Sequence, residues 1–132
     1  MPFPIDVKYI IEAEEELGLE FPPLFKEKMI EENGGEAQTE DDDWNLYPFF
    51  DKSDRKRISR TCNHIILETK QVKEWGNFPL NAIAIGGNGC GDQLILLPSK
   101  NDKILDDIVY FWCHETGKIQ KVAENIQELI EE

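Results

Sequence analysis

The sequence predicts a single α+β domain, with helices in the first third of the chain, an antiparallel sheet across the second half and a short closing helix. Three observations predict it. Apolar residues recur at helical spacing after Asp6 and again after Pro22-Pro23. From Asn81 onward the composition changes to short β-branched and aromatic runs separated by glycine. A chain of 132 residues with 40% hydrophobic composition can bury one proper core but not two, so one domain is expected over residues 1–132.

Asp6 is suited to cap the first helix, because its side chain can accept from a backbone N–H of the first turn. Val7, Ile10, Ile11 and Leu17 then form an apolar stripe, and Gly18 can take the left-handed conformation that ends it. Proline is tolerated in a first helical turn, so Pro22-Pro23 opens a second helix with Phe25, Met29 and Ile30 facing inward and Asn33-Gly34-Gly35 stopping it. The run Glu40-Asp41-Asp42-Asp43 repels itself and reads as an exposed loop ahead of a short strand, residues 44–48. Ser53-Asp54 can cap a basic turn carrying Arg55, Lys56, Arg57 and Arg60. A further helix is expected over residues 64–75, with Ile65, Val72 and Trp75 on one face.

Two strands, residues 82–85 and 93–97, flank the glycine-rich residues 86–91. Residues 108–114 read as a third strand, Glu115-Thr116-Gly117 as a turn and residues 118–122 as a fourth strand, an order that favours antiparallel pairing. Ile126, Leu129 and Ile130 complete the chain at helical spacing.

The charge of −13 arises from 14 basic and 27 acidic side chains and is unevenly distributed. Residues 1–54 hold sixteen acidic and four basic side chains, a net of −12, and residues 55–132 a net of −1. Such a balance argues against nucleic acid, since a phosphate-binding surface must bring cations to displace counterions. It argues equally against an anionic membrane and favours a basic protein partner. Cys62, Cys90 and Cys113 are an odd number without CxxC spacing, which fits reduced thiols. Residues 1–6 lack the basic and long apolar stretches of a secretory signal, and no window approaches the roughly 18 apolar residues of a membrane span, so the expected location is cytoplasmic.

Four stretches, taken in their order and spacing, resemble the SUKH superfamily, which includes bacterial immunity proteins and fungal regulators of cell-wall synthesis. They are Leu17-Gly18-Leu19-Glu20-Phe21-Pro22 leading to Asn33-Gly34-Gly35, the aromatic residues 44–48, the Gly91-Asp92 step opening a strand, and residues 109–114 followed by Gly117. The resemblance covers about residue 12 to the end. It implies a bent antiparallel sheet with helices packed on it, no catalytic centre and no cofactor. It further implies a bacterial immunity protein that binds a toxin domain, commonly a nuclease and often basic, or else a regulatory interaction module with no toxin involved. The Glu40 to Asp43 loop and the basic turn at Arg55 have no counterpart in the family pattern.

Candidate chemistry is weighed residue by residue. Gly86, Gly89 and Gly91 superficially suggest a phosphate cradle, but a strand follows rather than a helix and no GK[ST] is present, so a hairpin turn is expected and Asp92 is a turn acceptor rather than a base. Cys62, His64, Cys90, Cys113 and His114 match no zinc spacing, and adjacent strand residues such as Cys113 and His114 point to opposite faces, so no metal site is expected. No nucleophile signature surrounds Ser53, Ser59, Ser99 or the cysteines. The basic residues Arg55 to Arg60 read as an internal counter-charge to the acidic segment, with nucleic-acid contact a distant second. The expected partner-binding residues are Glu36, Glu40, Asp41, Asp42, Asp43, Trp44 and Asp51, an aromatic anchor beside a charged rim being a recurrent interface composition. Trp44 suits the core equally well.

Overall fold

The computed structural model describes residues 4–39, 42–76, 78–79, 81–100 and 103–129, and within them the chain is α+β. Helix α1 (Val7–Leu17) is capped by Asp6, whose side chain accepts from Lys8 N at 3.0 Å, and ends at Gly18 with φ +70°. Helix α2 (Pro23–Glu31) starts on the expected proline and ends at Glu32. Glu14 ties the two helices together, its Oε2 accepting from Phe21 N at 2.8 Å and facing Lys26 Nζ at 3.3 Å.

Helix α3 (Arg55–Arg60) is capped by Asp54, and α4 (Ile65–Lys73) by the His64 ring. The strands are β1 (Glu36–Gln38), β2 (Asp43–Leu46), β3 (Ile83–Gly87), β4 (Gln93–Pro98), β5 (Leu105–Trp112) and β6 (Ile119–Ala123). They form one curled antiparallel sheet in sequence order. In place of a closing α-helix, Ile126–Leu129 is a 3-10 turn that buries Ile126 and Leu129; Ile130 lies outside the described residues.

Register explains the core. Ile83 pairs with Leu96, Leu96 with Val109 and Val109 with Ala123, so one row of apolar side chains crosses four strands on the face that meets α1 and α2. Phe21, Phe25 and Phe49 fill the space between helices and sheet, with ring centroids 5.0 to 6.0 Å apart. A smaller cluster on the other face joins Val72, Ala82, Ile95 and Trp112. Helix α4 covers the edge of β3 that β2 leaves unpaired, where Ala84 N donates to Thr69 Oγ1 at 3.0 Å.

Several inward assignments fail for one geometric reason. The buried face of α1 is Tyr9, Ile10 and Ala13; residues 7 and 11 are turned away from that centre, so Val7 and Ile11 are each 47% exposed. Ile30 is likewise exposed, and Trp75, just past the end of α4, is 56% exposed. Strand β1 carries no sequence signal at three residues, and it exists because β2 offers it a partner.

Candidate functional site

In a meander, alternate connections fall at the same end of the sheet. The β1–β2, β3–β4 and β5–β6 turns therefore share one end, and the acidic residues 42 and 43 are brought to the turns that carry Asn88, Asp92 and His114. Asn88 joins two of these turns: its Nδ2 lies 3.4 Å from Asp42 Oδ2 and 3.3 Å from Asp92 Oδ2, while its Oδ1 accepts from Cys90 N at 2.9 Å. Asp92 joins the third, with Oδ1 accepting from His114 N at 3.1 Å and 2.7 Å from His114 Nδ1. His114 Nε2 reaches Glu115 Oε1 at 4.0 Å.

Partial burial acts to raise the Asp92 pKa, but hydrogen bonds from the His114 side chain and backbone and from Asn88, with the attraction of His114, together hold it below the ordinary carboxylate value. Asp92 therefore stays ionised in a turn that already carries acidic neighbours. The Cys113 thiol is engaged with the Thr116 side chain, whose hydrogen bond is the main cause of its lowered pKa. His114 thus turns to Asp92 and Cys113 to Thr116, which is not the geometry of a cysteine nucleophile with its base.

The glycine-rich stretch is the hairpin connection. Gly89 (φ +84°) and Gly91 (φ +101°) make the turn, and a Cβ on Gly91 would stand 3.0 Å from the His114 ring. Gly86 and Gly87 serve a different need. Strand β2 pairs beside them and Tyr47 follows it, so a Cβ on Gly86 would stand 3.0 Å from Asn45 O and one on Gly87 2.6 Å from the Tyr47 hydroxyl. Among the described residues no group of three or more His, Cys, Asp or Glu side chains is placed to hold a metal ion.

Of the residues expected to meet a partner, Glu36 and Asp43 are exposed on the β1–β2 hairpin, and Asp42 is half-buried beside Asn88. Glu40 and Asp41 lie outside the described residues. Trp44 and Asp51 are placed differently. Trp44 is 1% exposed, its ring 5.7 Å from Phe111 and its Nε1 donating to Thr39 Oγ1 at 3.0 Å, so it is a core residue and not a surface anchor. Asp51 is 3% exposed and sits 3.6 Å from Arg57 Nε, which makes it the internal partner of the basic turn.

The Asn88 and Asp92–His114 contacts were not visible in the sequence. Pairing of Gln93 with Trp112 is what sets Asp92 opposite the end of β5. The six residues between β4 and β5 do not fix that register, whereas a two-residue turn would have.

A family model for the SMI1 / KNR4 family (SUKH-1) matches residues 4–132. The chain belongs to the SMI1/KNR4 family (SUKH-1). No curated protein and no solved structure gave a significant match. SMI1/KNR4 membership is consistent with an immunity or regulatory protein, and members of the family are generally non-catalytic. Among the described residues no helix is long and apolar enough to cross a membrane.

The stretches that carry the SMI1/KNR4 resemblance have physical roles in this chain. Asn33, just past the Glu32 cap that ends α2, holds the backbone that follows β2: its Oδ1 accepts from Phe49 N at 2.7 Å and its Nδ2 donates to Phe49 O at 2.8 Å. Gly34 and Gly35 take φ of +109° and +91°, and Lys28 Nζ donates to the Gly34 and Glu32 carbonyls. Burial is the main reason that the Lys28 pKa falls to about 8, with Glu32 acting in the opposite direction.

Proposed function

We propose that this chain is a bacterial immunity protein that works in the cytoplasm by binding and neutralising a toxin domain, without catalysis of its own. The partner is a basic protein, of the nuclease type that the family reading suggests. The observation that supports this reading is the set of carboxylates that the β1–β2 hairpin and the other turns carry at one end of the sheet, where Lys118 on the β5–β6 turn is a nearby cation. Glu36, Asp42 and Asp43 from the most acidic part of the chain meet Asp92 and Glu115 there, on turns cross-linked by Asn88 and His114. A pre-organised acidic surface steers an oppositely charged partner and raises the association rate, even where it adds little net affinity.

Occlusion needs no reactive group, only a surface that covers the toxin's substrate-binding face. The test is protection in cells. Expression of this chain should rescue growth of bacteria producing the toxin domain encoded by a neighbouring gene, and Asp42→Lys with Asp43→Lys should weaken that rescue at equal protein levels. Growth arrest that the unmodified chain leaves untouched, with both proteins present, would count against the toxin reading and favour a regulatory interaction module.

A further inference from the structure

At the opposite end of the sheet, the β4–β5 connection returns to the segment that follows α1. Glu20 and Ile104 form a parallel bridge there, with Glu20 N donating to Lys103 O at 2.8 Å and Leu105 N to Glu20 O at 2.9 Å. Between this bridge and α1 runs an open groove of about 480 Å³ whose apolar lining is Ile11, Leu19 and Ile104. Ile11 is 47% exposed and Ile104 38%. Val7, one turn before Ile11 on the same row of α1, extends the apolar strip. The wall is low at Gly18, where an added Cβ would have nothing within 4 Å.

The rim is acidic. Glu14 is engaged with Phe21 N and Lys26, whereas the exposed Glu15 and Glu20 have no ion-pair partner among the described residues. Among the described residues Lys103 is the one cation on the lining, and it has interactions of its own.

We propose that this groove is a second docking surface, which accepts a cationic amphipathic helix of a partner protein. Aliphatic side chains of that helix would enter between Ile11 and Ile104, with its lysines or arginines against Glu15 and Glu20. The strip from Val7 to Gly18 is about 17 Å long at the rise of an α-helix, enough for roughly three turns of a partner helix laid along it. A second copy of this chain fits less well, because an isologous contact would set the same acidic rims against each other. The surface is separate from the acidic turns at the other end of the sheet, so failure here would leave the toxin-binding reading standing.

The test uses the full chain and a synthetic helical peptide of about four turns, with leucines on one face and lysines on the other. A control peptide has the same composition but scattered leucines. Methyl NMR should show shifts at Ile11, Leu19 and Ile104 with the amphipathic peptide and not with the control. Ile11→Asp should weaken binding by about tenfold or more, the scale of one fully buried aliphatic side chain. Ile11 is half exposed, so unchanged Leu94 and Val109 methyls will confirm that this variant is folded. Glu15→Gln with Glu20→Gln should also weaken binding and remove most of its salt dependence.

Equal shifts with both peptides would overturn the proposal. So would backbone amide shifts, read in a companion 1H–15N spectrum, that centre on Asn88 and His114, or Ile11 and Ile104 methyl shifts that change with protein concentration alone, which would assign the groove to a second copy.

Discussion

Replacement of Asn33 by alanine is the most informative test of how this fold is held together. The side chain is buried and fills both hydrogen-bonding positions of Phe49, accepting from its N–H at 2.7 Å and donating to its carbonyl at 2.8 Å. Asn33→Ala leaves those two backbone groups without partners, at about 1–3 kcal/mol each, so a loss of roughly 2–6 kcal/mol is expected. Water entering the vacated space would bring the loss toward the lower figure.

For a domain of this size, 3 kcal/mol corresponds to a fall in Tm of about 10 °C. Urea and thermal unfolding followed by circular dichroism and tryptophan fluorescence measure both. Asn33→Asp adds a sign. A buried carboxyl that must donate to Phe49 O has a folded pKa above its unfolded value of about 4. The variant's stability is then fully present below that value and is lost as pH rises through the folded pKa. Its deficit against the unmodified protein should therefore shrink on acidification from pH 7. A loss below about 0.5 kcal/mol in Asn33→Ala, within the range of an ordinary surface substitution, would refute the clamp.

Lys28 offers a second pH signature. Its folded pKa, lowered from 10.5 to about 8, means that stability is gained as pH rises from 8 to 10.5, where the unfolded chain binds more protons, and lost as pH falls through 8. Lys28→Met should lack that gain, and denaturation curves at successive pH values decide it. The two glycine classes should also separate. Gly86→Ala sets a Cβ 3.0 Å from the Asn45 carbonyl and should cost about 1–3 kcal/mol by overpacking. Gly89→Ala, in open space with φ +84°, should cost only the backbone strain of about 1–2 kcal/mol. Double-mutant additivity would confirm that the two costs are independent. Trp75→Ser, at a side chain 56% exposed, should change unfolding free energy by less than about 0.5 kcal/mol.

Local chemistry made much of the fold legible. Asp6 and Gly18 bound the first helix, Pro23 opens the second and Asp54 caps the third, because caps depend only on neighbouring backbone groups. The strand pair around residues 86–91 and the turn at Gly117 were legible for the same reason. Orientation was less so. Val7, Ile11, Ile30 and Trp75 are as apolar as the residues that are buried, and only the position of the sheet decides which edge of each helix it covers.

The candidate site was half legible. Charge alone marked Glu36, Asp42 and Asp43 as surface candidates. Trp44 and Asp51 were drawn into the same group by adjacency, whereas period-2 alternation puts Trp44 on the core side of β2 and Arg57 draws Asp51 inward. The Asp92–His114 pair depends on a register set by a long connection, which the sequence does not specify.

The central claim is that the acidic end of the sheet steers a basic protein partner. The most direct measurement is the association rate constant of the purified toxin domain with the unmodified chain and with its Asp42→Lys, Asp43→Lys variant, each across a range of salt concentrations. The account expects the unmodified rate to fall steeply with salt, the variant's rate at low salt to be lower by about tenfold, and the two to converge at high salt. Equal rates at low salt, or rates that do not respond to salt, would contradict it.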